Sequence, residues 1–347
     1  IGNMYGSNIV MGRVQTNTTK THSKQGSAKT VANASRALSI DVVRKAVLDG
    51  IDEDLLFSLR YTNLDEELRQ QEKVWTYVPK GFVIDDNGDD YLTHYYEVYG
   101  EKKGMPAGDI DNPVEGTAAY ELKPGQTGSK NVAQADLNNT LDDVKTAVSL
   151  YNASNSTKIT YPIQLEMYSL YFDESSKEVD DQIIESMNTR LNYGSTTDRS
   201  LFKVVPTDKL TQSDYETVSR NGECDFSTIQ WGWGADYGDP LTFMNTYVKG
   251  GDWGDIFPYI DEESVDNYIL NANKTALDKK DLLEEYTNLV ALGAAETEDF
   301  NARFDKFAEA EYMLLEELNI YRPQTNNGQG WSLSVSRSAG YFMPTTL

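Results

Sequence analysis

Hydrophobic positions in this chain recur at two spacings, and the changes between them mark out its elements. Across 133–152, Leu137, Leu141, Val144, Val148 and Tyr151 return every three or four positions, one apolar face of an amphipathic helix. Val43, Val47, Leu48 and Ile51 repeat that spacing over 39–51, with Ser39 and Asp41 as candidate caps, and 53–59 opens another helix. Residues 7–15 read as a strand, and 16–36, rich in Thr, Lys, Ser and Ala, as a loop running into a helix. Between 161 and 230 the two spacings alternate: strands at 161–168, 201–205 and 225–230, helices at 176–192 and 212–220. Strand-helix-strand-helix-strand is the repeat that builds a parallel sheet through crossovers. Helical spacing returns at 262–271, 278–292 and 299–317. The tail from Leu318 turns polar, with strands predicted at 318–322 and 331–335. Residues 80–130, rich in Gly, Asp, Pro and Tyr, predict a long irregular insertion holding one helix near 88–99.

The last strand of the alternating region, Asp225 to Gln230, empties into Trp231-Gly232-Trp233-Gly234-Ala235-Asp236-Tyr237-Gly238-Asp239-Pro240. In open α/β sheets ligands bind beyond the carboxyl ends of strands. Glycines there admit close backbone approach, indoles offer flat apolar walls, and an aspartate can pair with a cation. The stretch points to recognition of something partly apolar and positively charged.

Charge narrows the choice of ligand. Against 31 Lys and Arg stand 55 Asp and Glu, a net charge of −24, which repels phosphate backbones and anionic lipid. Nucleic-acid binding is therefore not expected. The 22 Tyr and 5 Trp mark a globular chain, since disordered acidic sequences are poor in aromatics. Cys224 is the only cysteine, so no disulfide within the chain and no cysteine-based zinc site can form. His22 and His94 are the only histidines, too few for a histidine-held catalytic metal, and no cofactor is expected. No apolar run approaches the ~20 residues that span a bilayer, and Ile1-Gly2-Asn3-Met4 does not read as a signal peptide.

Asp236 and Asp239 admit a two-carboxylate reading, general acid and base of a glycoside hydrolase. Against it, Asp239 directly precedes Pro240, where aspartate sets a turn and caps the next helix, here Leu241 to Tyr247. Asp85-Asp86-Asn87-Gly88-Asp89-Asp90 resembles a calcium loop, but the positions that need glycine and glutamate hold Asp90 and Tyr96, so a solvated turn is expected. His94, among Tyr91, Tyr95, Tyr96 and Tyr99, reads as packing or surface, and Cys224 as a half-buried structural thiol. Gly250 to Asp255 lacks the Gly-Lys-Ser/Thr ending of a phosphate loop. Arg322 is a candidate for a ligand carboxylate, weighed against a surface salt bridge.

Several of these segments together resemble the oligopeptide-binding proteins of ABC importers. They are Gly222-Glu223-Cys224-Asp225-Phe226, then Gln230 to Pro240, and Phe243. Asp41 to Val47 with Ile51-Asp52, and Phe304 to Glu311 with Leu314 and Glu317, are similar to two further helices of that family. Val14 to Asn17 and Thr21 to Lys24 resemble its surface lipoproteins in Gram-positive bacteria. Gly238 and the return Ile320-Tyr321-Arg322-Pro323 depart from the family pattern.

The resemblance implies an α/β fold of the periplasmic-binding-protein type, with two lobes joined by crossover strands and a peptide enclosed between them. On that basis 1–15 is a crossover strand from the first lobe, 16–318 the second lobe, and 319–347 the return crossover with part of the first lobe. It also implies that Asp236 pairs with the peptide's α-amino group, with Trp233, Gly234 and Tyr237 lining the first positions; Trp231 and Arg322, read from their own chemistry, complete the expected ligand-binding set. The expected function is oligopeptide capture and delivery to ABC permease subunits, by a monomer held at the outer face of a bacterial membrane through a lipid anchor, without catalysis. The alternatives are the glycoside hydrolase, or a binding protein of the same fold for sugar or nickel.

Overall fold

The computed structural model of the chain describes residues 4–9, 28–123, 132–168, 174–192, 200–206, 224–252 and 267–326. Its main sheet is built from β1 (Met4–Ile9), β2 (Ile163–Tyr168), β3 (Phe202–Pro206), β4 (Phe226–Trp233) and β7 (Tyr321–Asn326), in the order β3-β2-β4-β1-β7. The alternating region supplies the parallel half: β2 runs parallel to both β3 and β4. β1 is antiparallel to β4 and to β7, so segments from the two ends of the chain are stitched into one sheet. β1 begins earlier than the predicted strand, and residues 10–15 lie outside the described set.

The helices follow their apolar faces. α1 (Ala28–Leu38), α2 (Asp41–Gly50), α3 (Glu53–Arg60) and α4 (Glu66–Gln71) precede the tyrosine-bearing α5 (Tyr91–Lys103) and a single turn, α6 (Ala118–Glu121). In α7 (Gln134–Ser154), Leu137, Leu141, Val144, Val148 and Tyr151 are all buried, as their spacing predicts. α8 (Glu174–Arg190) crosses between β2 and β3. The helix predicted at 212–220 and the strand predicted at 331–335 lie outside the described residues. α3 starts on Asp52, whose carboxylate accepts from Leu55 N. The caps proposed for α2 do not form. Ser39 Oγ donates backwards to Arg36 O, and Asp41 Oδ1 accepts from Leu270 N, 229 residues away.

Two buried charged residues tie helices to distant parts of the chain. Arg44 of α2, fully buried, donates from Nε to Leu318 O at 2.7 Å and from Nη1 to Leu38 O at 2.8 Å. It thereby joins the first helices to the chain just before β7. Glu311, near the end of α11 (Phe300–Tyr312), accepts from Tyr77 N at 2.5 Å, Val78 N at 3.3 Å and Tyr91 Oη at 2.9 Å. A carboxylate without water is tolerable only when hydrogen bonds replace its hydration.

The insertion packs into the fold over its described part, residues 80–123. α5 packs along α11, and Tyr91, Tyr95 and Tyr99, four residues apart, are buried. Burial drives the phenols of Tyr91 and Tyr95 well above the ordinary tyrosine range, reinforced by the negative charge of Glu311 and, for Tyr95, of Glu316. The helix predicted at 262–271 is corrected over its described part. There the chain forms a strand, β5 (Tyr268–Leu270), paired antiparallel with β6 (Leu277–Lys279). Tyr268 N bonds Ser39 O at 2.9 Å, so a distant backbone group fixes this segment as extended. α10 (Leu282–Ala295) then packs on α11, which ends in a π-helical turn over Met313–Glu317.

Candidate functional site

β4 lies inside the sheet, between β2 and β1, and runs on through Trp231-Gly232-Trp233, past the predicted strand end at Gln230, before the loop begins at Gly234. Trp231 and Trp233 sit on the strand itself, with Cα atoms opposite Gly6 and Met4 of β1. Beyond the strand, Thr242 Oγ1 gathers the loop, accepting from Asp236 N at 3.1 Å and from Trp233 Nε1 at 3.5 Å. Thr242 belongs to a single helical turn, α9 (Leu241–Met244), so the loop arches over the helix that follows it. Trp233 and Gly234 are half-buried within this arch, while Asp236, Tyr237 and Gly238 are exposed.

The two aspartates of the loop have different environments. Asp239 accepts a planar fork from Arg303, Nε to Oδ2 and Nη2 to Oδ1, each at 2.9 Å, and Oδ1 also takes Leu241 N at 2.9 Å. Arg303 in turn donates from Nη1 to the carbonyls of Gly293, Ala294 and Glu296 at the end of α10, and lies over the Phe307 ring at 4.9 Å. Both oxygens of Asp239 are therefore committed to holding the loop on the α10–α11 corner. This is the turn and cap role that its position before Pro240 predicts. It takes one member out of the two-carboxylate reading, because an acid, base or nucleophile needs an oxygen free for substrate.

The Asp236 carboxylate makes no hydrogen bond or ion pair among the described residues, and it projects from the loop into solvent. The neighbouring Tyr237, 48% exposed, has its phenol pushed up by partial burial of the ring and by the negative charges of Asp239 and Asp236. Free carboxylate, aromatic ring and half-buried indole thus occur together at the end of β4. Gly238 is not held to glycine by space, since a Cβ there meets nothing within 4 Å.

Arg322 requires a correction. Its guanidinium does not face a ligand site: Nη1 donates to Leu48 O at 2.7 Å and Nη2 to Asp49 Oδ1, tying β7 to the end of α2. Nor is this a surface salt bridge, because the Asp49 side chain is fully buried. His94 is also more engaged than expected, with Nδ1 2.7 Å from Asp305 Oδ1 and Nε2 3.2 Å from Asp85 Oδ2. The Asp85 segment is the expected turn. Burial pushes the Asp85 carboxyl up, but the N–H groups of Asp89 and Asn87 and the His94 ring outweigh it and hold the carboxyl below its usual range. Among the described residues no group of three or more His, Cys, Asp or Glu side chains is placed to hold a metal ion. Cys224 is buried. His22 and residues 253–255 of the glycine-rich segment lie outside the described set.

Arg303 and Thr242 are the loop residues that sequence reading missed. A lone arginine inside the apolar pattern of 299–317 was the available signal for the first, and nothing local marks the second.

No family model matches the sequence, and no curated protein matches it. Solved structures do match its fold. The substrate-binding domain of an oligopeptide ABC transporter from Bacillus anthracis superposes with a TM-score of 0.52 at 15% identity, covering 94% of this chain and 44% of that one. The peptide-binding protein of a peptide ABC transporter gives 0.51 at 16% identity, over 94% of this chain and 100% of that chain. Peptide-bound OppA from Listeria monocytogenes gives 0.50 at 17%, over 94% of this chain and 43% of that one. The chain thus spans less than half the length of two of these proteins. At such identities the likeness shows the fold, the α/β architecture of peptide-binding proteins of ABC importers.

Proposed function

We propose that this chain supplies the second lobe and hinge strands of a substrate-binding protein that captures oligopeptides for an ABC importer. In this reading residues 16–318 form the lobe, 1–15 and 319–347 carry the crossovers, and closure on a first lobe encloses the peptide. The observation that carries it is the contrast between the aspartates of the β4 loop: Asp239 is consumed by Arg303, and Asp236, exposed between Trp233 and Tyr237, has no partner among the described residues. A peptide's amino terminus is an ammonium next to a short stretch of main chain and side chain. An unpaired carboxylate flanked by aromatic surface matches that chemistry. Trp231, Trp233, Gly234 and Tyr237 then line the first positions, and recognition through main-chain groups leaves side-chain selectivity broad.

Among the described residues no helix is long and apolar enough to cross a membrane. Attachment at the outer membrane face, through a lipid anchor on the intact protein, belongs to the same proposal, as does docking on permease subunits. Calorimetric titration of the intact protein with mixed free-amine oligopeptides tests the reading. Binding is expected in the parent and strongly reduced in Asp236→Asn. Turnover of a glycoside, with no peptide binding, would move the assignment to the enzyme class.

A further inference from the structure

The loop after β4 is exposed at Asp236, Tyr237 and Gly238, yet its backbone is tied down. Beyond Asp236 the chain closes a tight turn: Asp239 N donates to Tyr237 O at 3.0 Å, and Thr242 N donates to Asp239 O at 3.1 Å. Arg303 holds the Asp239 carboxylate, and so the whole turn, on the α10–α11 corner. At Asp236 itself the peptide N–H donates to Thr242 Oγ1 at 3.1 Å. The backbone is thus fixed on both sides of Asp236, while its carboxylate has no partner among the described residues.

The position of Thr242 in the chain explains why its hydroxyl turns to the loop. Within the longer helices, threonines donate to a carbonyl one turn back, as Thr146 does to Asp142 O, Thr189 to Glu185 O and Thr287 to Leu283 O. Thr242 is the second residue of α9, so no helical carbonyl lies one turn behind it. Its oxygen accepts instead, from Asp236 N and at the longer distance of 3.5 Å from Trp233 Nε1. Thr242 is 3% exposed, which shields that oxygen from bulk water. One buried oxygen therefore serves both the backbone that carries the carboxylate and the indole at the end of β4.

We propose that Thr242 is the positioning residue of the amino-end anchor: its side-chain oxygen fixes the Asp236 backbone, and with it the direction from which the carboxylate meets a peptide ammonium. Being buried, Thr242 acts through Asp236 and not by contact with the peptide. A carboxylate on a wandering backbone must be ordered at the moment of binding, and that ordering subtracts from affinity. Arg303 and Thr242 divide the task, the first holding the turn to the body of the protein and the second holding Asp236 within the turn. Because Asp236 is exposed, water can take over its N–H when the oxygen is removed, so the loss falls on binding and not on folding. This assignment rests on the peptide-binding reading above and adds to it the residue that aims the anchor.

The test uses the intact protein and three variants. Thr242→Val keeps the shape and removes the acceptor, Thr242→Ala removes it with a smaller side chain, and Thr242→Ser keeps the oxygen. Calorimetry measures the affinity of each for alanine tetrapeptide and for the same peptide N-acetylated. The Val and Ala variants are expected to bind the free-amine peptide about 3- to 10-fold more weakly than the parent, the scale of one hydrogen bond. They should bind the acetylated peptide as the parent does, and the Ser variant should match the parent for both. Equal losses for the two peptides overturn the assignment, since the hydroxyl would then support the site as a whole. Unchanged free-amine affinity in the Val and Ala variants, or a loss in the Ser variant as large as theirs, overturns it too. So does unfolding of both acceptor-less variants, seen by circular dichroism, by showing that the hydroxyl serves the fold. In each of these cases peptide binding by the parent leaves the peptide-binding reading standing. A parent that binds neither peptide removes that reading and this assignment with it.

Discussion

Replacing Arg303 with methionine removes the guanidinium, and with it the stacking on Phe307, while keeping much of the apolar stem. The Arg303 side chain is 10% exposed and that of Asp239 18%, so the fork is mostly shielded from water. Breaking one side of a buried pair costs about 3–5 kcal/mol, because the remaining charge is left without its partner. The carbonyls of Gly293, Ala294 and Glu296 lose a donor as well, so Arg303→Met belongs in the upper part of that range. Asp239→Asn keeps the shape and an acceptor for Leu241 N, and should cost about 2 kcal/mol, the scale of a charge-assisted hydrogen bond. The two losses share one interaction, so the double variant should be more stable than their sum predicts by about 2–3 kcal/mol. Urea unfolding of the four proteins at neutral pH, read as midpoints at a common slope, measures the coupling. Additivity within about 0.5 kcal/mol would refute the clamp. Peptide affinity of Arg303→Met should fall as well, because the loop that presents Asp236 then loses its tie to the α10–α11 corner.

Two further predictions concern pH. Burial pushes the Asp49 carboxyl up, but the charges of Arg322 and Lys45 outweigh it and leave its pKa below the ordinary 3.8. A carboxylate depressed in the folded state contributes stability that is complete above its unfolded value and is lost as pH falls through the folded one. The urea midpoint should therefore drop below about pH 4, and Asp49→Asn, less stable at neutral pH, should lose less on acidification; equal acid losses would contradict the pairing. At the other extreme, burial raises the phenols of Tyr91, Tyr95, Tyr286 and Tyr321 well above 10.0, aided by Glu311. Their contribution is full below about pH 10 and is lost as pH rises beyond it. Ultraviolet titration should show these phenols ionising only as the protein unfolds, and a single transition for all tyrosines near pH 10 would refute their burial.

The parts of the fold legible in the sequence are those decided by local pattern. The Leu137–Tyr151 stripe specifies α7, and the strand spacing at 161–168, 201–205 and 225–230 specifies the parallel half of the sheet. The β5–β6 pair is different. Its strands have three residues each, too short for a period to emerge, and Tyr268 is held extended by Ser39 from far away in the chain. In the insertion after residue 80 the helix near 88–99 is legible, but the burial of its tyrosines is not, because the helix they pack against lies far along the chain. The site divides in the same way. Pro240 behind Asp239 disclosed a turn, but the arginine that occupies that carboxylate lies 64 residues on. Arg322 invited a ligand role because nothing nearby in sequence shows that Asp49 already holds it.

The most direct measurement of the central claim is a cycle of two changes, one on each side of the proposed ion pair. Affinities of the parent and of Asp236→Asn are measured by calorimetry for one peptide with a free amino end and for the same peptide N-acetylated. If Asp236 holds the ammonium, acetylation weakens binding to the parent by about 1.5–3 kcal/mol, roughly 10- to 150-fold, and has little effect on the variant. An acetylation penalty of the same size in both proteins would contradict the account, since the ammonium would then be held by some other group.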